Sequence, residues 1–148
     1  MEKKYSMSEL GPVIEEVISF NGKIRLTVTG MSMYPLMRNR LDSVLLKKVD
    51  RIKKYDILLY TREDNSYVLH RAVKINEKTV DIIGDGEGRI EKDVPKERII
   101  AVAQEIKRGK RIIKTDSILY KLYCRVWTLL IPVRVKMLNR YIKIRRKF

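Results

Sequence analysis

Short runs in which apolar and polar residues alternate dominate residues 23–106 of the chain. The first run, Ile24–Val28, has an apolar side chain at every second position, which is typical of a strand with one buried face. Comparable runs follow, separated by turn-forming segments, at 43–49, 56–61, 67–75, 79–83 and 98–106. Several short strands at such spacing predict a mostly β fold, built as a compact antiparallel sheet or a partly closed barrel.

Helical periodicity flanks these strands on both sides. Apolar residues at helical spacing predict a short N-terminal helix with Ser6 or Ser8 as its cap. From Leu119 to Ile144 a second apolar stripe predicts a long, basic, amphipathic C-terminal helix, which Pro132 should kink or break. The expected fold class is therefore α+β. Its segments are an N-terminal helix over 1–22, a β domain over 23–114 and a helical segment over 115–148.

The formal net charge of +15 is concentrated towards the end of the chain. Residues 107–148 carry 14 Lys and Arg against a single acidic residue, Asp116, whereas residues 1–106 are nearly neutral. Basic residues beside an apolar stripe that includes Trp127 are typical of a helix lying at an anionic membrane surface. We therefore expect residues 115–148 to contact a membrane peripherally. The alternatives are a helix that docks on the domain and a nucleic-acid-binding tail, and nucleic acid is not the favoured partner.

Few side chains in this chain could support metal or redox chemistry. The single cysteine, Cys124, excludes an intramolecular disulfide and a cysteine-based metal cluster, and the single histidine, His70, disfavours a zinc site. We therefore expect no metal and no cofactor. The charged N-terminus shows no secretory signal peptide. The longest uncharged run of the basic segment, Val126–Val133, is much shorter than the roughly 20 residues of a membrane span, so no spanning helix is expected.

A candidate nucleophile follows the first predicted strand. Ser32 lies in the segment Gly30-Met31-Ser32-Met33-Tyr34-Pro35. A nucleophilic serine needs an adjacent base, a fixed and exposed turn, and backbone N–H groups that can hold an oxyanion. Gly30 and Pro35 supply such a turn. The same residue types also form ordinary loops in which a serine hydrogen-bonds its own backbone, so the spacing alone leaves both interpretations open.

The run Gly30–Leu36 resembles the nucleophile box of the signal peptidase and repressor-autoprotease superfamily of serine peptidases, whose core is Ser-Met-x-Pro. Leu41 and Tyr55 stand where that family usually has a glycine. Further stretches match its boxes in the same order, at 41–46, 54–60, 83–85 and 99–102. The resemblance covers most of the predicted β domain and implies that Ser32 is the nucleophile.

The base that this resemblance implies is His70. In the bacterial signal peptidases and the repressor autoproteases a lysine stands at this point, whereas the endoplasmic-reticulum and archaeal types have a histidine that is usually followed by arginine. The chain reads Val68-Leu69-His70-Arg71, so it is similar to the histidine branch. A histidine has a usable pKa of about 6.5 without the desolvation that a lysine base requires.

A histidine base generally has a carboxylate behind it that fixes its tautomer. In the histidine branch this acid lies a few residues beyond a Gly-Asp pair, which corresponds here to Gly84-Asp85. Asp93 is nearest to the family pattern in residue type, and Glu91 is nearest in spacing. Asp85 itself is a further candidate, or it shapes the site. Gly86 replaces the asparagine that usually follows the pair.

The residues around Ser32 complete the expected site. Gly30 stands where some signal peptidases carry a hydroxyl that binds the oxyanion. The resemblance therefore implies that backbone N–H groups of the turn, in which Gly30 and Met33 flank Ser32, bind the oxyanion here. Met31, Tyr34 and Pro35 are candidates for contacts with the substrate. The methionines fit adaptable core packing at least as well.

These expectations predict a signal-peptidase-like serine endopeptidase that cleaves a leader or signal-like segment through a Ser-His acyl-enzyme mechanism. The substrate would be a peptide or preprotein bound as an extended strand. One alternative is a non-catalytic binding module that uses its basic tail on membrane lipid or nucleic acid. The other is a repressor-type autoprotease, for which residues 1–22 are too short to provide a DNA-binding domain.

Overall fold

The computed structural model describes residues 6–147 of the chain. In chain order its helices and strands are α1 (Met7–Ser19), β1 (Ile24–Thr27), β2 (Ser43–Lys47), β3 (Ile57–Thr61), β4 (Tyr67–Ile75), β5 (Thr79–Ile83), β6 (Glu91–Pro95), a single 3-10 turn (Lys96–Arg98), β7 (Ile99–Arg108), β8 (Arg111–Lys114), α2 (Ile118–Leu129) and α3 (Ile131–Arg145). The α+β fold class predicted from the sequence is therefore confirmed.

The strands form one antiparallel sheet with the order β1-β2-β7-β3-β4-β5-β6, and β8 pairs with β7. Periodicity alone does not predict β6 or β8, since both are short and rich in charged residues. Although β1 and β4 are not neighbours in this sheet, β4 lies close to the segment that follows β1. This arrangement is what positions the candidate site.

Helix α1 begins as the sequence predicts, with Ser6 rather than Ser8 as its cap. The Ser6 hydroxyl accepts a hydrogen bond from the Glu9 backbone N–H, and the Glu9 carboxylate accepts one from the Ser6 N–H at 2.8 Å. This reciprocal capping box satisfies two N–H groups that the first turn would otherwise leave without partners. The helix buries Ile14 and Ile18 against the sheet.

The main hydrophobic core lies between α1, the sheet and the turn after β1. It contains Met33 and Met37, both at most 1% exposed. Both methionines therefore pack in the core, and Met33 also lines a cavity that Ser32 borders. A second, smaller core cluster, with members on β3 to β7, contains Tyr60, which is fully buried.

The C-terminal segment, for which we expected a long helix kinked or broken at Pro132, forms two helices. Helix α2 ends at Leu129 and α3 begins at Ile131, with Pro132 in its first turn, where proline fits because the missing N–H has no helical acceptor. Tyr120 and Cys124 of α2 belong to the main core. Within residues 6–147, no helix is both long enough and apolar enough to cross a membrane.

Candidate active site

Ser32 lies in the turn between β1 and β2, and hydrogen bonds hold this turn from two sides. The Ser32 carbonyl accepts a bond from the Gly86 N–H at 2.8 Å, and the Gly30 N–H donates to Asn39 Oδ1 at 2.8 Å. Gly30 has a φ of +88°, a conformation that side chains rarely adopt. This explains the glycine two residues before Ser32.

The far end of the same turn is anchored by β7. The Arg108 guanidinium donates to the carbonyl oxygens of Leu36, at 2.8 Å, and of Pro35, whose peptide bond with Tyr34 is cis. Nothing in the sequence motif indicated Arg108, because it lies more than 70 residues away along the chain.

Two backbone N–H groups of the turn remain available. Among the described residues, neither the N–H of Ser32 nor that of Met33 donates to a backbone or side-chain acceptor. The Met31 and Ser32 carbonyls share peptide planes with these two N–H groups, and they accept hydrogen bonds from the Tyr34 N–H at 3.1 Å and the Gly86 N–H at 2.8 Å. These bonds fix the direction of both N–H groups. They are the donors that a backbone oxyanion hole requires.

His70 lies on β4 and is only 5% exposed. Gly84, which follows β5, separates it from the Ser32 turn. A Cβ atom at Gly84 would lie 2.4 Å from the Ser32 carbonyl oxygen and 3.0 Å from His70 Nε2. The Ser32 backbone and the His70 ring therefore lie on either side of Gly84, where only a glycine fits. Among the described residues, Ser32 Oγ makes no hydrogen bond with His70.

Ser32 and His70 also border the same open cavity of about 270 Å³. Its walls include the segment from Leu26 to Thr29 on one side and the first half of β4, from Tyr67 to His70, on the other. Among the described residues, β1 pairs with β2 alone, so its other edge is open. Met33 lines this cavity, whereas Met31, Tyr34 and Pro35 do not.

The environment of His70 favours its neutral form. Burial lowers the pKa of His70 to about 4, and Arg62 adds to this effect, while Glu91 and Asp85 act in the opposite direction. The imidazole is therefore uncharged near neutral pH and can accept a proton. Its Nδ1 lies 3.3 Å from the Tyr60 hydroxyl.

Two acids lie close to this pair. Glu87 borders both cavities that His70 borders and packs against Gly84. Glu91 acts on Tyr60: burial raises the pKa of the Tyr60 hydroxyl, and the neighbouring Glu91 carboxylate raises it further. Arg62 Nε in turn donates to Glu91 Oε1 at 2.8 Å. His70, Arg62 and Glu91 also border one surface cavity. Of the acids left open by the sequence, Glu91 is therefore the one that the structure connects to His70.

Asp93, the acid favoured by residue type, lies elsewhere. It is exposed on β6, where its Oδ1 accepts a hydrogen bond from the Thr79 hydroxyl at 3.4 Å. It lines neither of the cavities that His70 borders. The cause is a β-bulge: Glu91 pairs with Ile82 and Val94 with Val80, which leaves two residues of β6 opposite one residue of β5 and Asp93 at φ +57°.

Asp85 is fully engaged by another partner. Arg71 Nε donates to its Oδ1 at 2.7 Å and Arg71 Nη2 to its Oδ2 at 2.8 Å, and both side chains are 1% exposed. The Tyr123 hydroxyl donates to the same Oδ2 at 3.0 Å. Among the described residues, Asp85 makes no hydrogen bond with His70. It shapes the site, as the second interpretation of the sequence suggested.

Arg71 connects the Arg71–Asp85 ion pair to α2. Its Nη1 donates to the Tyr55 carbonyl and the Tyr120 hydroxyl, each at 3.1 Å, and to Cys124 Sγ at 2.8 Å. Arg71, Asp85 and the side chains that hydrogen-bond them form the Asp85 cluster. The cluster satisfies a buried charge pair, which would otherwise be costly.

The loop 84–88 is also fastened to both C-terminal helices. Trp127 Nε1 donates to the Asp85 carbonyl at 3.1 Å, and Arg134 Nη1 donates to the same oxygen. Leu138 of α3 packs so closely on Gly88 that an added Cβ there would lie 2.7 Å from it. Because this loop contacts both Ser32 and His70, α2 and α3 help to hold the residues of the candidate site in position.

Comparisons of the chain with protein-family models, with curated proteins and with solved structures found no match. Within residues 6–147, no three His, Cys, Asp or Glu side chains lie close enough together to hold a metal ion. The interpretation of the site therefore depends on its own geometry and on the sequence resemblance.

Proposed function

We propose that this protein is a signal-peptidase-like serine endopeptidase with Ser32 as its nucleophile and His70 as its base. The observation that carries the proposal is the shared position of the two residues, which border one cavity and meet at Gly84. The uncharged state of His70 and the available N–H groups of Ser32 and Met33 are consistent with this chemistry.

In the proposed reaction, His70 Nε2 takes the proton of the Ser32 hydroxyl as Oγ attacks the peptide carbonyl. The oxyanion accepts hydrogen bonds from the Ser32 and Met33 N–H groups. The protonated His70 then gives its proton to the departing amine, which leaves an ester on Ser32. Water, deprotonated by the same imidazole, hydrolyses the ester and restores the free hydroxyl.

The proposed substrate is an extended segment of a peptide or preprotein, such as a leader or signal-like sequence. The open edge of β1 offers backbone groups for strand addition, and Leu26 and Val28 make the adjoining cavity wall apolar. An extended apolar segment would therefore fit beside Ser32. Met31 and Tyr34 are 57% and 47% exposed, so in this proposal they contact the substrate outside the cavity.

The test is covalent labelling of the full-length protein with a serine-directed fluorophosphonate, followed by peptide mass spectrometry. We expect an adduct on Ser32 in the wild type and in the control Ser8→Ala, which removes an exposed hydroxyl on α1. We expect no adduct in Ser32→Ala and a strongly slowed reaction in His70→Ala. Labelling that survives Ser32→Ala, or a folded wild type that never reacts, would refute the proposal.

We also propose that α2 and α3 attach the protein peripherally to an anionic membrane. A stripe of exposed apolar side chains continues from one helix to the other. It contains Leu119, Leu122, Val126, Leu129, Val133, Met137, Tyr141 and Ile144. Residues 118–148 carry nine Lys and Arg and no acidic residue, which is +9 of the formal net charge of +15. Apolar insertion together with attraction to anionic headgroups supports interfacial binding.

Flotation with anionic and with neutral liposomes tests this attachment in the full-length protein. We expect the wild type to float with anionic vesicles, and the double variant Leu119→Ser/Leu122→Ser to float much less. Phe20→Ser is a matched control, because Phe20, the C-cap residue of α1, is 80% exposed and lies outside this stripe. Equal flotation of all three proteins would contradict the proposal.

The exposed stripe also supports the alternative of a non-catalytic binding module. The two experiments separate these functions, since a binding module floats with vesicles but gives no adduct on Ser32.

A further inference from the structure

A histidine that acts as a base needs a partner at its second nitrogen, which fixes the tautomer and the orientation of the ring. The nearest such partner of His70 is neutral. The Tyr60 hydroxyl lies 3.3 Å from Nδ1, and the two side chains are 0% and 5% exposed. No carboxylate among the described residues hydrogen-bonds this ring.

We propose that Tyr60 is the positioning residue of His70, in the place that a carboxylate usually holds in a catalytic triad. The catalytic part of this role rests on the peptidase function proposed above. The structural part, which is the tautomer of His70, does not.

The sheet register brings the two rings together. On the paired strands β3 and β4, Leu58 is opposite His70 and Tyr60 is opposite Val68. Tyr60 and His70 are therefore diagonal neighbours on the same face of the sheet, a separation that aromatic side chains can bridge. Their ring centroids are 6.2 Å apart. Strand pairing thus fixes this contact, and no flexible loop is involved.

Glu91 favours one direction for the hydrogen bond between Tyr60 and His70. Its carboxylate raises the pKa of the Tyr60 hydroxyl, which draws the Tyr60 proton towards Glu91 and away from the ring. The Tyr60 oxygen then has a lone pair for His70 and accepts from Nδ1–H. This leaves Nε2 without a proton, on the side of the ring that faces the Ser32 turn across Gly84. The chain of donors therefore selects the tautomer that can deprotonate Ser32.

Arg62 has a role in this arrangement that sequence reasoning did not give it. Arg62 holds Glu91 through the 2.8 Å bond from its Nε, and it also lowers the pKa of His70. The ionisable groups among the described residues that face His70 or border its cavities are Tyr60, Arg62, Tyr67, Asp85, Glu87, Arg89, Glu91 and Lys92. Because the direct partner is uncharged, the positive charge formed on His70 receives less support than in a Ser-His-Asp triad.

Nuclear magnetic resonance of the ¹⁵N-histidine-labelled full-length protein tests the positioning role directly. His70 is the only histidine, so the spectrum contains a single imidazole. Near neutral pH we expect the wild type to show the Nδ1–H tautomer. Tyr60→Phe keeps the ring and removes the hydroxyl, and we expect it to shift the population towards Nε2–H. Glu91→Gln should give a smaller shift in the same direction.

Tyr67→Phe is the matched control. It removes the hydroxyl that donates to Glu15 from a neighbouring position on β4, and it should leave the tautomer unchanged. An amide spectrum of each variant establishes that it is folded. If Tyr60→Phe is folded and keeps the wild-type tautomer, Tyr60 does not position His70.

Kinetics then test the catalytic part. With a cleaved peptide, Tyr60→Phe should lower kcat roughly tenfold with little change in KM, the loss expected for one hydrogen bond. An unchanged kcat would overturn the catalytic role. A protein that shows the tautomer shift but gives no adduct on Ser32 would refute the peptidase proposal and leave the positioning of His70 established.

Discussion

His70 and Arg71 are neighbours on β4, and their surroundings are opposite in character. Successive residues of a strand point to opposite faces of the sheet, so each side chain enters a different polar region. Arg71 is bonded to both oxygens of Asp85, to Tyr120 and to Cys124. His70 has one hydrogen-bonding partner among the described residues, the neutral hydroxyl of Tyr60.

This difference separates the structural role of Arg71 from the chemical role that we propose for His70. A buried charge destabilises the fold unless hydrogen bonds satisfy it, and the Asp85 cluster satisfies Arg71 almost completely. A base must instead keep one nitrogen available and uncharged, as His70 does. The contrast predicts large effects on stability at Arg71 and effects that depend on pH at His70.

The largest effect is expected from Arg71→Met, which leaves the Asp85 carboxylate buried without its cation. We expect the free energy of unfolding to fall by about 3 to 5 kcal/mol. Urea denaturation followed by Trp127 fluorescence measures this loss. Arg111→Met, at an exposed site on β8, is the control and should change stability by less than about 0.5 kcal/mol. Similar losses in both variants would mean that the Asp85 cluster is not a special source of stability.

A smaller effect is expected on acidification, and it should come from His70. Its pKa is about 4 in the folded protein and near 6.5 when unfolded, so the unfolded state binds more protons between these values. The contribution of neutral His70 to the free energy of unfolding is fully present above pH 6.5 and is lost as the pH falls towards 4. Between pH 7.5 and pH 4.5 we expect the wild type to lose about 2 to 3 kcal/mol through this residue.

The decrease in the free energy of unfolding between pH 7.5 and pH 4.5 should be smaller in His70→Gln by this amount, because glutamine does not titrate. Urea denaturation of both proteins at the two pH values gives the comparison. Asp42 does not interfere, since hydrogen bonds from Arg38 lower its pKa to about 2 and its contribution is lost at more acidic pH. Parallel pH dependence of the two proteins would show that His70 titrates normally in the folded state.

The smallest effect is expected from Tyr123→Phe, which removes a single hydrogen bond to Asp85 Oδ2. Because Arg71 still satisfies this carboxylate, the loss should be about 1 kcal/mol. Tyr141→Phe, on the exposed side of α3, should have no measurable effect. A loss as large as that in Arg71→Met would show that the Asp85 cluster depends on each of its members and not mainly on the charge pair.

Periodicity predicted the strands that alternate clearly, and the Ser6 cap followed from local chemistry. The resemblance selected Ser32 and His70, which the structure places at one cavity. Tyr60 was not predictable, because it lies in a continuous apolar run and its role depends on the pairing of β3 with β4. The preference for Asp93 followed residue type, and only the bulge in β6 explains why that side chain turns away.

The C-terminal helices illustrate a similar limit of sequence reasoning. Their apolar stripe was visible in the sequence, but the opposite face contributes Tyr120, Cys124 and Trp127 to contacts with the domain. Helical spacing indicates which residues share a face. It does not indicate which residues far away in the chain, such as Arg71, are in contact with that face.

The bonds from Trp127 and Arg134 to the Asp85 carbonyl also have a consequence for the order of events during translation. The ribosome produces β4 and β5 well before α2 and α3. A nascent chain that ends before α2 contains Ser32 and His70, but its loop 84–88 lacks these supports. The loop beside the candidate active site therefore gains these supports only when both helices have been made.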